Sequence, residues 1–192
     1  MSLPALSLLS DHRTELSESF EDTFASLEKY FTLGDAPDDD DTEAARSVAS
    51  LLAEVQHSSD VDCEYYPCTL SGADPTSDEF FAALGVARDE RCEVSGWDNP
   101  RLEVTRAVAG EGVGSALALI TRLNSDALTE LSSYVTEEDK TAIDAAIARL
   151  AALGPIVGLQ LCTDDGASKL LLTLARRPSG KHVGVLTIAI ET

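Results

Sequence analysis

The side chains in this sequence that could do chemistry are histidines, cysteines and carboxylates, and their spacing fits no standard catalytic or metal-binding pattern. The histidines and cysteines are His12, His57, His182, Cys63, Cys68, Cys92 and Cys162. No two cysteines form a CxxC pair and no Cys/His quartet is close in sequence, so we expect no zinc site. The sequence also lacks GxSxG, HExxH and P-loop motifs, and this argues against an enzyme.

Two further patterns match ligand sites only in part. Gly110, Gly112 and Gly114 form GxGxG, whose third glycine falls one residue short of the dinucleotide-binding pattern. The four aspartates at positions 38–41 lack the glycine and the distal glutamate of an EF-hand calcium loop. We therefore expect no cofactor and no bound metal.

The charge of the chain is strongly negative. Its formal net charge is −20, from 34 acidic and 14 basic residues, and the first 64 residues hold 16 of the acidic and 3 of the basic ones. Nucleic acids and anionic membrane surfaces are bound by clustered Lys and Arg, so we expect neither as a partner. A basic protein partner fits this charge, because complementary fields speed encounter. Adaptation to a salty cytoplasm would produce the same composition.

The acidic region at the N-terminus, residues 1–41, is expected to form a helix and an acidic linker outside a domain that spans residues 42–192. Apolar residues recur there at steps of three and four, which predicts a helix over residues 11–33. They are Leu16, Phe20, Phe24, Leu27 and Phe31. The aspartate run that follows repels itself and lacks apolar area, so we expect a mobile linker that is dispensable for folding.

Helices and strands alternate in the middle of the chain. A helix capped by Asp41 or Thr42 would carry an apolar face, formed by Val48, Leu51, Leu52 and Val55. A short helix over residues 77–84 is predicted between the cap Ser77 and Gly85. We expect strands over residues 92–97 and 102–108 and two short helical pieces over residues 115–134.

The pattern is clearest from residue 136 to the C-terminus. Thr136 with Asp139 resembles a capping box, and Gly154-Pro155 would end the helix it starts. Strands follow over residues 156–162, 169–176 and 183–190, and both of their side-chain parities are apolar. A strand that is apolar on both faces is buried on both faces. We therefore expect an α/β domain, a three-layer α-β-α sandwich with a mainly antiparallel sheet, in which Leu172 and Ile188 are core residues.

The N-terminus carries no sign of a secretory signal. It has no basic region, and Asp11, His12 and Arg13 interrupt its apolar run. No segment approaches the ~18 apolar residues of a membrane span. We expect a cytoplasmic protein. Cys63 and Cys68 flank a Tyr-Tyr-Pro turn and could pair in an oxidising compartment.

Three stretches of this sequence resemble the nuclease A inhibitor family, the inhibitors of sugar-non-specific nucleases. One is a helix at 44–56 followed by a Ser/Asp/Glu-rich turn into Glu64-Tyr65-Tyr66-Pro67. The second is the helix after Thr136 that leads into a strand. The third is a hairpin with the turn Pro178-Ser179-Gly180, whose last strand ends in Glu191-Thr192.

The resemblance implies a three-layer α-β-α fold and a function in inhibition. Such an inhibitor binds a ββα-metal nuclease one to one and plugs its active site. The C-terminal threonine reaches the catalytic magnesium through water, which transfers to Thr192. A glutamate before the Tyr-Pro also contacts the nuclease, which transfers to Glu64, with Asp62 an equally good candidate.

The end of the last strand also has chemistry of its own. A strand without a polar tail would hold its terminal carboxylate at a fixed place, with Glu191 beside it. Carboxylate oxygens suit magnesium, so this end could stand in for a scissile phosphate. Otherwise Glu191 and Thr192 are the frayed end of a strand. The competing hypothesis is a non-catalytic interaction protein that binds another basic partner through residues 11–41.

Overall fold

The computed structural model describes residues 2–58, 62–88, 102–108, 136–162 and 168–190. The strands in these ranges are β1 Ala5–Leu8, β2 Thr32–Asp35, β3 His57–Ser58, β4 Asp62–Cys63, β5 Tyr66–Ser71, β6 Ala87–Arg88, β7 Leu102–Val108, β8 Ile156–Cys162, β9 Ser168–Arg176 and β10 His182–Ile190. The helices are α1 Ser10–Ser19, α2 Glu21–Tyr30, α3 Asp40–Ala49, α4 Asp78–Leu84 and α5 Glu137–Leu153, and a 3-10 turn, Ser50–Leu52, extends α3.

Eight of these strands form one mostly antiparallel sheet in the order β2-β1-β5-β10-β9-β8-β7-β6. Its parallel pairs are β1 with β2 and β7 with β8. The strands β3 and β4 form a separate short hairpin that lies against β10. The strand β10 therefore lies near the middle of the sheet, between β5 and β9, and also contacts the hairpin.

Alternate side chains of the central strands enter two different hydrophobic clusters. On β10, Leu186 and Ile188 belong to one cluster, whereas Val183 and Val185 belong to the other. Side chains of α1, α2 and α4 pack in the first cluster, and side chains of α3 and α5 pack in the second. The predicted core residues Leu172 and Ile188 are both buried. The protein is a mixed α/β domain whose sheet buries apolar side chains of both parities.

The N-terminal region differs from its prediction. Residues 11–33 do not form one helix, because the chain breaks at Phe20 into α1 and α2 and then enters β2. The strand β1 pairs with both β2 and β5, and its residues Leu6 and Leu8 have no exposed surface. Of the predicted apolar stripe, Leu16, Leu27 and Phe31 are buried in the same cluster as Leu186 and Ile188, and Phe20 and Phe24 are partly buried against it. The sheet thus crosses the expected boundary between residues 41 and 42.

The aspartates that were expected to form a linker begin α3 instead. Asp39 caps the helix, since its carboxylate accepts a hydrogen bond of 2.9 Å from the backbone N–H of Thr42. Asp40 and Asp41 lie in the first turn, where negative charge is favourable beside the unpaired N–H groups of a helix. Neither Asp41 nor Thr42 is the cap, and Leu51 is partly exposed rather than buried with Val48.

The predictions for the C-terminal part agree with the structure where it is described. Thr136 and Asp139 form a reciprocal capping box at the start of α5. The three last strands have the predicted order, and α4 is capped by Ser77 and closed by Gly85 in a left-handed conformation. The strand predicted over residues 102–108 is β7.

Several predictions concern residues outside the described ranges. They are the strand over residues 92–97, the glycines at 110–114, the helical pieces over residues 115–134, and Glu191 and Thr192. Within the described ranges, none of the helices has the length and apolar character needed to cross a membrane.

Candidate partner-binding surface

The predicted binding residues that the structure describes lie beside the last strand. Asp62 is in β4 and Glu64 lies between β4 and β5, and both side chains are exposed. The last described residue, Ile190, ends β10. Glu191 and Thr192 follow it directly in sequence and lie outside the described residues.

One buried hydrogen bond joins these two parts of the chain. The hydroxyl of Thr187 on β10 donates to the backbone carbonyl of Glu64 at 2.8 Å. The Thr187 side chain has no exposed surface, so water does not compete for this bond. The backbone of Glu64 is therefore fixed to β10 three residues before the strand ends.

Cys63 lies between the two candidate carboxylates and points inward. It is buried and reduced, and it belongs to the cluster that also contains Ile188. Burial and the nearby charge of Asp62 raise the pKa of its thiol to about 11, although a backbone hydrogen bond from Ile188 opposes this. The thiol is therefore neutral at physiological pH and acts as a small core residue. Cys68 is also buried and forms no disulfide bond.

The helix α1 is joined to the same region through Tyr66. The Tyr66 hydroxyl donates a hydrogen bond of 3.1 Å to the Glu15 carboxylate, and the His12 ring packs edge-on against the Tyr66 ring. Burial, reinforced by the charge of Glu15, raises the pKa of Tyr66, which keeps the hydroxyl protonated. Sequence reasoning missed this group, because a contact between residues 51 positions apart leaves no local signal.

The surface formed by these elements is acidic. Asp11, Glu15 and Glu18 are exposed and follow one another at helical spacing along α1, and Glu15 is bonded to the strand that follows Glu64. The exposed carboxylates of α1, together with those of Asp62 and Glu64, can attract and orient a basic partner. In the described ranges, no group of His, Cys, Asp and Glu is arranged to hold a metal ion.

A second charged region lies at the other end of β10. An open groove of about 550 Å³ lies between the start of α3 and the β9–β10 turn, lined by Asp39, Asp40, Asp41, Arg177, Pro178 and Ser179. Lys181 contacts Asp39 at 3.1 Å and Asp41 at 3.3 Å, and Arg177 contacts Asp41 at 3.2 Å. Hydrogen bonds from the Thr42 backbone and from Lys181 lower the pKa of Asp39. The hydrogen bonds that Lys181 donates to Asp39 and Asp41 raise the pKa of Lys181. These ion pairs attach α3 to the hairpin.

A third polar cluster surrounds His182. Its imidazole is buried, and Nε2 has no hydrogen-bond partner among the described residues. Asp74 forms an ion pair with Arg176 and accepts hydrogen bonds from Thr76. Burial acts to raise the pKa of Asp74, but the bonds from Thr76 and the charge of Arg176 outweigh it and lower that pKa. Burial lowers the pKa of His182 despite the opposing charge of Asp74.

The comparisons with known proteins add no family to this geometry. No protein-family model matches the chain, and no curated protein is similar to it in sequence.

Proposed function

We propose that this protein is an acidic, non-catalytic inhibitor that binds and plugs the active site of a metal-dependent non-specific nuclease. The resemblance of three stretches to the nuclease A inhibitor family motivates this proposal. The proposed binding residues are Thr192, Glu191, Glu64 and Asp62, and the proposed place of action is the cytoplasm. The proposed architecture is the three-layer α-β-α sandwich, since the two clusters take side chains from different sets of helices.

The observation that carries the proposal is the bond between Thr187 and Glu64. It joins the turn that holds Asp62 and Glu64 to the strand that leads into Glu191. This contact between distant parts of the sequence supports the proposal that both sets of candidate residues bind the same partner.

The chemistry of the proposed plug follows from its charge. A nuclease site holds a phosphate beside a metal ion, with basic side chains around it. Carboxylates are hard oxygen ligands that can replace the phosphate on that metal or on its waters. Because the backbone of Glu64 is bonded to β10, which lies inside the sheet, the segment around Glu64 loses little conformational entropy on binding.

The proposal is tested by titrating the protein against a panel of metal-dependent nucleases while DNA cleavage is measured. We expect stoichiometric inhibition of at least one of them. The same titration is repeated with a variant that carries a short neutral extension after Thr192. Its control is a variant with an insertion of equal length at the exposed turn around Ser179. The extension should weaken inhibition about tenfold or more with an unchanged melting temperature. Equal inhibition by the extended and unextended proteins would exclude the strand end as the plug.

The second candidate function is binding of a different basic protein through α1. The exposed stripe Asp11, Glu15 and Glu18 favours it, because this helix has no counterpart in the family that the chain resembles. Reversal of Asp11 and Glu18 to lysine, which leaves the Glu15–Tyr66 bond in place, distinguishes the two functions. A plug that uses Asp62, Glu64 and the strand end would lose only association rate, whereas a partner that docks on α1 would no longer be captured.

A further inference from the structure

The hydroxyl of Thr187 is buried inside the sheet. It is a side-chain group with no exposed surface, placed in the middle of an apolar face, and it donates to the backbone carbonyl of Glu64 at 2.8 Å. A hydroxyl is costly to bury without a partner, and the Glu64 carbonyl is the partner that offsets this cost. Valine has the same shape and would fill the same space.

A neighbouring threonine shows that the position is unusual. Thr173 on β9 is also buried and has the same parity, but its hydroxyl has no hydrogen-bond partner among the described residues. The two threonines lie on adjacent strands of the same sheet, and their hydroxyls differ in what they contact. Thr173 therefore provides a matched comparison for Thr187.

The hairpin that precedes Glu64 is short. It consists of two-residue strands, with His57 paired to Cys63 and Ser58 paired to Asp62. A two-stranded hairpin of this length is not stable by itself in water. Its position depends on Cys63 in the core and on the bond from Thr187, and both connect it to the C-terminal part of β10.

We propose that Thr187 is a positioning residue: its bond fixes the backbone of Glu64 to β10 and so limits where the carboxylates of Glu64 and the nearby Asp62 lie when a partner binds. This inference rests on the proposed function for the identity of the partner. The coupling between turn and strand is a property of the free protein and can be measured without any partner. Without the bond, the Glu64 carbonyl loses its buried partner, and this part of the chain is held to β10 less tightly.

The test compares three variants of the full chain, Thr187→Val, Thr187→Ser and Thr173→Val. Hydrogen exchange of the amides of residues 62–64 is measured in the free protein. Loss of a buried bond should speed this exchange about tenfold in Thr187→Val, with no change in α5 or β9. Thr187→Ser keeps the hydroxyl and should exchange like the parent in this turn, although it loses a buried methyl group. Thr173→Val should also exchange like the parent.

Inhibition of the nuclease found by titration is the second measurement. Thr187→Val should inhibit about tenfold less well with a melting temperature close to the parent, whereas Thr187→Ser should melt lower and inhibit normally. A merely structural role would make inhibition follow melting temperature across the three variants. If exchange at residues 62–64 is the same in Thr187→Val and the parent, the inference is wrong. If the parent inhibits no nuclease, the proposed function fails, and the exchange data alone decide the role of Thr187.

Discussion

At the scale of single residues, His182 makes the stability of the fold depend on pH. Its pKa in the folded protein lies below the ordinary value of 6.5, mainly because it is buried. The unfolded chain therefore binds a proton that the folded protein does not. Stability from this residue is complete above about pH 6.5 and is lost as the pH falls towards the folded pKa. The groups that face the imidazole are Asp74 and Arg176, and Asp74 stays ionised in this range because its own pKa is lowered.

The variant His182→Gln isolates this effect. The free energy of unfolding is measured with urea between pH 7.5 and pH 5. As the pH falls, it should decrease more steeply for the parent than for the variant, and the extra slope is at most about 1.4 kcal/mol per pH unit. If the parent instead becomes more stable relative to the variant as the pH falls, His182 gains a proton on folding, contrary to the structure. The exposed variant Thr14→Ala serves as a control with no titrating group.

At the scale of elements, the strand β1 is the clearest difference between the sequence-based prediction and the structure. Leu6 lies between Leu33 of β2 and Leu70 of β5 and is fully buried, whereas Leu51 is 38% exposed. We expect Leu6→Ala to lower the free energy of unfolding by about 2–5 kcal/mol. Leu51→Ala, the matched control, should change it by less than about 1 kcal/mol. If both variants unfold alike, β1 contributes nothing and residues 1–41 are the dispensable appendage that the sequence suggested.

The elements that the sequence predicted are those with local signals. The capping box of Thr136 and Asp139 and the apolar strands after it need only neighbours in sequence, and they agree with the structure. By contrast, β1 and β2 have four residues each and exist through pairing with each other and with β5. The break between α1 and α2 at Phe20 could not be predicted from the sequence, because the helical spacing of apolar residues continues through it. The contacts of Glu64 with Thr187 and of Glu15 with Tyr66 span 123 and 51 positions, and no local pattern encodes them.

At the scale of the whole molecule, the net charge of −20 acts on folding and on association in opposite directions. Like charges repel within the compact protein, so the fold is weakened at low ionic strength. The same field attracts a basic partner over distances that salt shortens, from a Debye length of about 30 Å at 0.01 M to about 8 Å at 0.15 M. Salt should therefore stabilise the free protein and slow its association.

The effects of salt on stability and on association rate distinguish a charge that selects a partner from a charge that serves only solubility. Between 0.01 and 0.15 M NaCl, we expect the melting temperature to rise and the association rate with a captured nuclease to fall about tenfold or more, as in electrostatically steered complexes. The dissociation rate should change much less, because buried contacts are screened little. The control is the α1 variant in which Asp11, Glu15 and Glu18 are replaced by serine, which should associate more slowly at low salt and approach the parent at high salt. If the association rate does not depend on salt while the melting temperature does, the charge adapts the protein to a salty environment and does not select its partner.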